Sequence, residues 1–320
     1  MIVTLTCNPS IDRTIALDGP LVPGEVQQAL SMREDAGGKG VNVARVLHGS
    51  GAEVCAVLPL SADDPYRALL GDGLDVRAVP IHSPARANVT LTDPAGGTTK
   101  INLPGAHLDE RAVVAIGEAV VQAADGADWL ALCGSLPPGA PDDLYARIVA
   151  GVCARLDGVS VAVDASGIAL AEALRPGGID LIKPNEEELI DAVAALHGDE
   201  PAALAAAVAA SPVEAVAALA RRLVPECTSA ALVTLGRHGA VLVTVRGAWH
   251  AEVPDGVRVR STVGAGDSSL AGYLLAPSAE PEQRLRMAVR YGSATASLPG
   301  TQLATPGDLP TADIPIRALT

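Results

Sequence analysis

Ser261-Thr262-Val263-Gly264-Ala265-Gly266-Asp267-Ser268-Ser269 joins two glycines, several hydroxyls and one carboxylate, and apolar residues follow at helical spacing (Leu270, Tyr273, Leu274). Glycine lets backbone N–H groups come close to a ligand, and the first N–H groups of a helix have no intrahelical acceptor, so the loop suits an anion. A carboxylate in that first turn lies beside the bound anion. It can take the proton of a hydroxyl attacking phosphorus while the amides stabilise charge on the phosphoryl group. Asp267 is the candidate base, with Gly264, Ala265 and Gly266 supplying the amides. An isolated GxGD is more often a plain glycine turn with an aspartate opening a helix, so the rest of the chain has to decide. No Lys-Ser/Thr follows the last glycine, which excludes a P-loop. The late position, with no βαβ unit after it, excludes a dinucleotide fingerprint.

Three further clusters carry polar chemistry. Gly37-Gly38-Lys39-Gly40-Val41-Asn42 offers flexible backbone, a cation and an amide just before a helix, which suits an anionic ligand or simply a glycine-rich turn. Lys183-Pro184-Asn185-Glu186-Glu187-Glu188 follows a strand and opens a helix. Its acids complement the helix dipole, or Asn185 and Glu188 face Mg²⁺ or its waters. Thr234-Leu235-Gly236-Arg237-His238-Gly239 is a loop able to lie against a nucleotide, or a tight turn between two strands, with His238 an exposed turn residue. Asp12, Arg86, Asn88 and Lys100 each read, taken singly, as solvated strand residues.

The elements that would hold these clusters follow from periodicity. IVTLT, EVCAVLPL, WLALCGS, VSVAVDAS, IDLIKPN and SAALVTLG read as strands. Helical spacing marks VNVARVLHGSG, DDLYARIVAGVCARL and one Ala-rich helix over 201–224. This βαβα order implies an α/β fold with a mostly parallel, doubly wound sheet. Residues 13–35 and 86–103 break the rhythm: they alternate apolar and polar, with Pro94-Ala95-Gly96-Gly97 as a hairpin turn. They imply a small separate sheet acting as a lid, within one domain spanning 1–320.

Composition narrows the function. Hydrophobic residues make up 49% of the 320 and charged residues 19%, enough for a core, although there is no Phe. A net charge of −14 disfavours nucleic acid and anionic membrane, and obliges any polyanionic substrate to find local cations. No apolar run is long enough to span a bilayer, and MIVTLTCNPS lacks the basic n-region of a signal peptide. The five cysteines show no metal spacing, so reduced thiols and a cytoplasmic location are expected.

Taken in order, NPSxD, GGKGxN, GSLPPG, DxSG, KPNxxE, TLGxxG and STVGAGDS resemble the PfkB subgroup of ribokinase-like carbohydrate kinases, from TLTCNPSIDRT to about Gly300. The resemblance implies an αβα sandwich with a small β lid that forms a homodimer, and ATP with Mg²⁺ as the phosphoryl donor. It casts Asp267 as the base and Gly264, Ala265 and Gly266 as the anion hole. It puts Asp12, Gly38, Lys39 and Asn42 on the sugar, with Ser135 and Asn88 near it, and Arg86 and Lys100 around a substrate phosphate. Lys183, Asn185, Thr234, Gly236 and Gly239 match nucleotide contacts, and Glu188 the NxxE position. Within the family the sequence is most similar to the branch that phosphorylates fructose 1-phosphate at its 6-hydroxyl. Kinases of tagatose 6-phosphate and fructose 6-phosphate are the enzyme alternatives, and a silent sugar-binding module is the other class. Lys39 stands where the fructose 6-phosphate branch has a third glycine, and Glu25-Val26 replaces a basic segment of that branch. SATASLPGTQ matches only loosely the segment that holds potassium in some relatives, so K⁺ stays an open cofactor.

Overall fold

The structure is a computed structural model that describes residues 1–276 and 278–320. The chain begins with β1 (Ile2–Thr6), β2 (Ser10–Leu17), β3 (Ala29–Gly37), α1 (Lys39–Gly49), β4 (Val54–Leu60), β5 (Asp75–Pro80), β6 (Arg86–Thr92) and β7 (Thr98–Ile101). It continues with α2 (Glu110–Ala124), β8 (Trp129–Cys133), α3 (Leu144–Arg155), β9 (Ser160–Asp164), α4 (Gly167–Leu174), β10 (Leu181–Ile182) and α5 (Glu186–His197). Then follow α6 (Pro201–Ala210), α7 (Pro212–Arg221), β11 (Ala230–Thr234), β12 (Ala240–Thr244), β13 (Gly247–Ala251), α8 (Ala265–Leu274), α9 (Pro281–Ala296) and β14 (Ile316–Leu319).

Ten strands form the large sheet in the order β14-β13-β12-β11-β10-β9-β8-β1-β4-β5. From β5 to β11 the pairing is parallel, and β12 to β14 add antiparallel strands at one edge. β1, β4 and β8 are buried throughout because helices cover both faces, as a parallel sheet requires. On one face Val3, Leu5, Val57, Leu130 and Leu132 meet α2 to α5 and α7. On the other, Ile2, Ala56, Ala131 and Ala162 meet α1, α8 and α9, and the small alanines let those helices come close. The α/β fold with a mostly parallel sheet expected from the sequence is therefore present.

The Ala-rich region is not one helix. Ser211 leaves helical geometry (φ −150°, ψ 79°) and Pro212 begins α7. Proline lacks an N–H and drives the preceding residue out of the helical region, so alanine spacing that reads as continuous is cut there.

A second sheet has the order β3-β2-β6-β7, with β2 and β6 parallel and the other pairs antiparallel. Its register gives it two unlike faces. Ile15 lies opposite Met32 and Leu91, and Val89 opposite Ile101; Asp12 lies opposite Asp35 and Asn88. Met32 and Ile101 are exposed, as are Leu30 and Val26 nearby. Among the described residues no helix is long and apolar enough to cross a membrane.

Candidate active site

Gly264 caps α8 with φ 74°, and a Cβ there would also meet Leu303 Cδ2 at 2.7 Å, so both conformation and space call for glycine. The first intrahelical bond runs from Ser268 N to Gly264 O at 2.8 Å, while Ala265 N points at Thr262 O at 3.4 Å. That leaves the N–H groups of Gly264, Gly266 and Asp267 without an acceptor among the described residues. They are free to receive an anion; Gly264 and Gly266 belong to the loop the sequence assigned to it, and Asp267 adds a further amide. Asp267 is 7% exposed, and its Oδ2 accepts from Asn42 Nδ2 at 2.8 Å. Burial, reinforced by the neighbouring Asp164 carboxylate, pushes its pKa up to about 6 against the pull of Asn42 and two lysines. A carboxylate with that affinity for protons is ionised at neutral pH and still able to take one.

Asp164, fully buried at the end of β9, anchors those two lysines. Lys39 Nζ donates to Oδ1 at 2.8 Å, and Lys183 Nζ lies 3.1 Å from Oδ2 as an ion pair. Burial alone pushes the Asp164 carboxyl up, but the ammonium groups of Lys183 and Lys39 overcome this and hold it below the ordinary range. Burial likewise pulls on the Lys39 ammonium, and Asp164 and Glu188 more than reverse the effect. Lys183 also reaches the glycine loop, since a Cβ on Gly266 would stand 3.3 Å from its Nζ. Asp164 belongs to the DxSG motif, to which the sequence assigned no role; the local signal was an aspartate ending a buried strand, and its pairing with two lysines appears only in the fold.

Asn185 and Glu188 form a capping box for α5: Asn185 Oδ1 accepts from Glu188 N at 2.8 Å and Glu188 Oε2 from Asn185 N at 2.9 Å. Glu188 Oε1 lies 3.2 Å from Lys39 Nζ. These oxygens already accept hydrogen bonds or pair with Lys39, so Asn185 and Glu188 fit a cation's water shell better than direct ligation. Thr234 pairs with Asn185 through an isolated parallel bridge. Gly236 and Gly239 flank the turn that joins β11 to its antiparallel neighbour β12, so the loop is a tight strand-to-strand turn that also lines the cleft.

These parts surround one cavity of about 1130 Å³. Lys39, Lys183, Asn185, Glu188, Thr234, Gly236, Gly239 and Gly264 to Asp267 all border it. Val253, Val257, Val259 and Val289 give it an apolar wall that no motif announced. Such a wall suits a flat base, and the polar end suits phosphates.

The remaining candidates lie elsewhere, on the small sheet and its borders. Asp12 Oδ1 accepts from Ser10 Oγ at 2.8 Å and Asn88 Nδ2 at 3.2 Å, and burial raises its pKa against those bonds. Arg86 donates to Leu103 O at 2.7 Å, while its buried Nε has no acceptor among the described residues. Lys100 is exposed on β7 opposite Thr90, on the pleat face shared by Asp12 and Asn88. Ser135 Oγ accepts from Asn8 Nδ2 at 3.3 Å. None of Asp12, Arg86, Asn88, Lys100 and Ser135 borders the large cavity. Gly38 and Asn42 connect the two regions: Gly38 precedes α1, and Asn42, in its first turn, holds Asp267.

The chain is 33% identical to a 1-phosphofructokinase of Xanthomonas campestris over 90% of this chain and 89% of that protein. It is 35% identical to a 1-phosphofructokinase of Rhodobacter capsulatus over 85% and 82% of the two chains. Among solved structures, phosphofructokinase-2 from Escherichia coli in complex with potassium superposes with a TM-score of 0.84 at 30% identity, covering 96% of each chain. The family model for pfkB family carbohydrate kinases matches residues 5–312, so the chain belongs to that family and is a sugar kinase that transfers phosphate to a hydroxyl.

Proposed function

We propose that this protein transfers the γ-phosphoryl group of Mg·ATP to the 6-hydroxyl of fructose 1-phosphate. The observation that carries the chemistry is Asp267, buried beside unpaired helix-start amides with a pKa raised to about 6. The acceptor oxygen attacks the γ-phosphorus, its proton passes to Asp267, and the bond from that phosphorus to the bridging oxygen breaks, releasing ADP. The Gly266 and Asp267 amides stabilise the charge on the phosphoryl oxygens in flight. Lys183, paired with Asp164, supplies positive charge to the nucleotide phosphates, while Lys39, held by the same carboxylate, is read as a contact of the acceptor sugar. Asn185 and Glu188 would hold Mg²⁺ through its water shell, and the ion would neutralise charge on the nucleotide phosphates.

The acceptor site is read from Asp12, which accepts hydrogen bonds from sugar hydroxyls, and from Arg86 and Lys100 around the substrate phosphate. In a protein of net charge −14 such cations are what a dianionic sugar needs. The 1-phosphofructokinases among the relatives support the fructose 1-phosphate reading. The likeness to phosphofructokinase-2 supports fructose 6-phosphate as the second reading. Coupled ADP release across fructose 1-phosphate, fructose 6-phosphate, tagatose 6-phosphate, fructose and ribose decides between them. The largest kcat/KM should be with fructose 1-phosphate; a preference for fructose or ribose removes the phosphosugar assignment. Replacing K⁺ by tetramethylammonium in the same assay tests the monovalent cation. A second copy of the chain covers the apolar face of the small sheet, burying Met32 and Ile101, and light scattering should report a dimer at micromolar concentration.

A further inference from the structure

The chain passes between the two sheets four times: at 7–9, at Gly37–Gly38, at 81–85 and after Ile101. One short segment holds two of these passages through two buried residues, Asp64 and Tyr66. Asp64, 3% exposed, opens a 3-10 turn over Pro65–Leu69. Its Oδ2 accepts from Ala85 N at 2.9 Å and from Ser61 Oγ at 3.1 Å, and its Oδ1 accepts from Tyr66 N at 3.1 Å. Tyr66 is fully buried in an apolar cluster with Ile11 and Ala36 of the small sheet, Val41 of α1, and Leu58 and Leu60 of the large sheet. Its hydroxyl donates to Gly37 O at 2.8 Å. Gly37 has no room for a side chain, because a Cβ would run into the carboxylate of Asp12. Ala85 immediately precedes Arg86. The same segment thus holds the backbone under Asp12 and the backbone just before Arg86.

We propose that the Asp64–Tyr66 segment is a positioning element for the acceptor sugar: it fixes the roots of β3 and β6, and through them Asp12 and Arg86, in the geometry the sugar phosphate needs. This rests on the reading of Asp12 and Arg86 as acceptor contacts. A phenol hydroxyl on a ring locked by close packing cannot follow a carbonyl that drifts, so the bond selects one position of Gly37. The carboxylate of Asp64 does the same for Ala85 with a charge-assisted bond. Neither residue borders the nucleotide cavity, so the effect falls on one substrate.

Tyr66→Phe removes one oxygen and keeps the ring. Its KM for the acceptor sugar phosphate should rise about three- to tenfold, the range for one neutral hydrogen bond, with KM for ATP unchanged. Ser61→Ala, which loosens Asp64 more gently, should shift the same constant in the same direction by less. Hydrogen exchange on the protein alone should quicken at 10–14, 34–38 and 86–90 in Tyr66→Phe and stay unchanged in α2 and α3. An unchanged sugar KM, or an equal rise in both KM values, overturns the proposal. Exchange that quickens everywhere, or nowhere in those three segments, also overturns it, because the tyrosine then serves overall stability alone. If the wild type phosphorylates none of the sugar phosphates, the reading of the function falls, and the exchange pattern alone decides whether the segment positions the two roots.

Discussion

The two halves of the candidate site are built on opposite plans. Asp267 is buried at the start of α8, and the groups around it come from distant parts of the chain: Asn42, Asp164, Lys39 and Lys183. Around Asp12 the groups stand on a four-stranded sheet with one apolar face uncovered, tied to the body through a few side-chain bonds at its root. The first region holds a carboxylate at a raised pKa because Asp267 is buried there beside a second carboxylate, Asp164. The second has few buried contacts away from its root, the property that lets a segment open at low cost. Phosphoryl transfer needs both: rigid electrostatics where charge develops, and a surface that admits the sugar before enclosing it.

The sharpest way to break this contrast is Asp267→Asn. It should lower kcat by roughly 10²–10⁴-fold with ATP affinity nearly unchanged, the range for loss of a general base. The same variant should be more stable above neutral pH. The folded protein holds the Asp267 proton more tightly than the unfolded chain does, with a pKa of about 6 against 3.8, so Asp267 takes stability away as pH rises through that window. Asparagine carries no charge to bury, and Tm measured at pH 8 should rise by roughly a few degrees. Near-wild-type turnover would remove Asp267 as the base, and a lower Tm would remove the account of its pKa.

Arg86→Ala should act on the other half alone. KM for fructose 1-phosphate should rise at least about tenfold, with KM for ATP unchanged and a much smaller loss for any unphosphorylated sugar accepted. Equal losses with both sugars would mean that Arg86 shapes the sheet by bonding Leu103, as it does here, and does not read phosphate. Weaker ATP binding would reverse the placement of the two substrates.

The smallest effect sharpens the contrast. The wild-type log kcat/KM should climb with unit slope below about pH 6 and level off above it, as Asp267 gives up its proton. Asn42→Ala removes a hydrogen bond that favours the ionised form, so the bend should move to higher pH by roughly half a unit to one unit. A bend that stays in place would show that some other group sets the profile.

What was legible in the sequence was local. Glycines and a carboxylate ahead of Leu270, Tyr273 and Leu274 announce the start of α8, because helix-start chemistry is decided within a few residues. The alternation of strands and helices announces the parallel sheet, and the period-two stretches announce the small one. The break at Pro212 was just as local, but regular alanine spacing on both sides hid it. Only the tertiary structure decided how the pieces act on one another. Asp164 gains its importance from Lys39, 125 positions away, and the raised pKa of Asp267 from burial that no motif encodes. Tyr66 sits in no motif, and its place under Gly37 exists because two sheets and α1 close around one ring. Backbone preference is fixed by neighbours in the chain, whereas desolvation, ion pairing and the aim of a buried hydroxyl are fixed by neighbours in space.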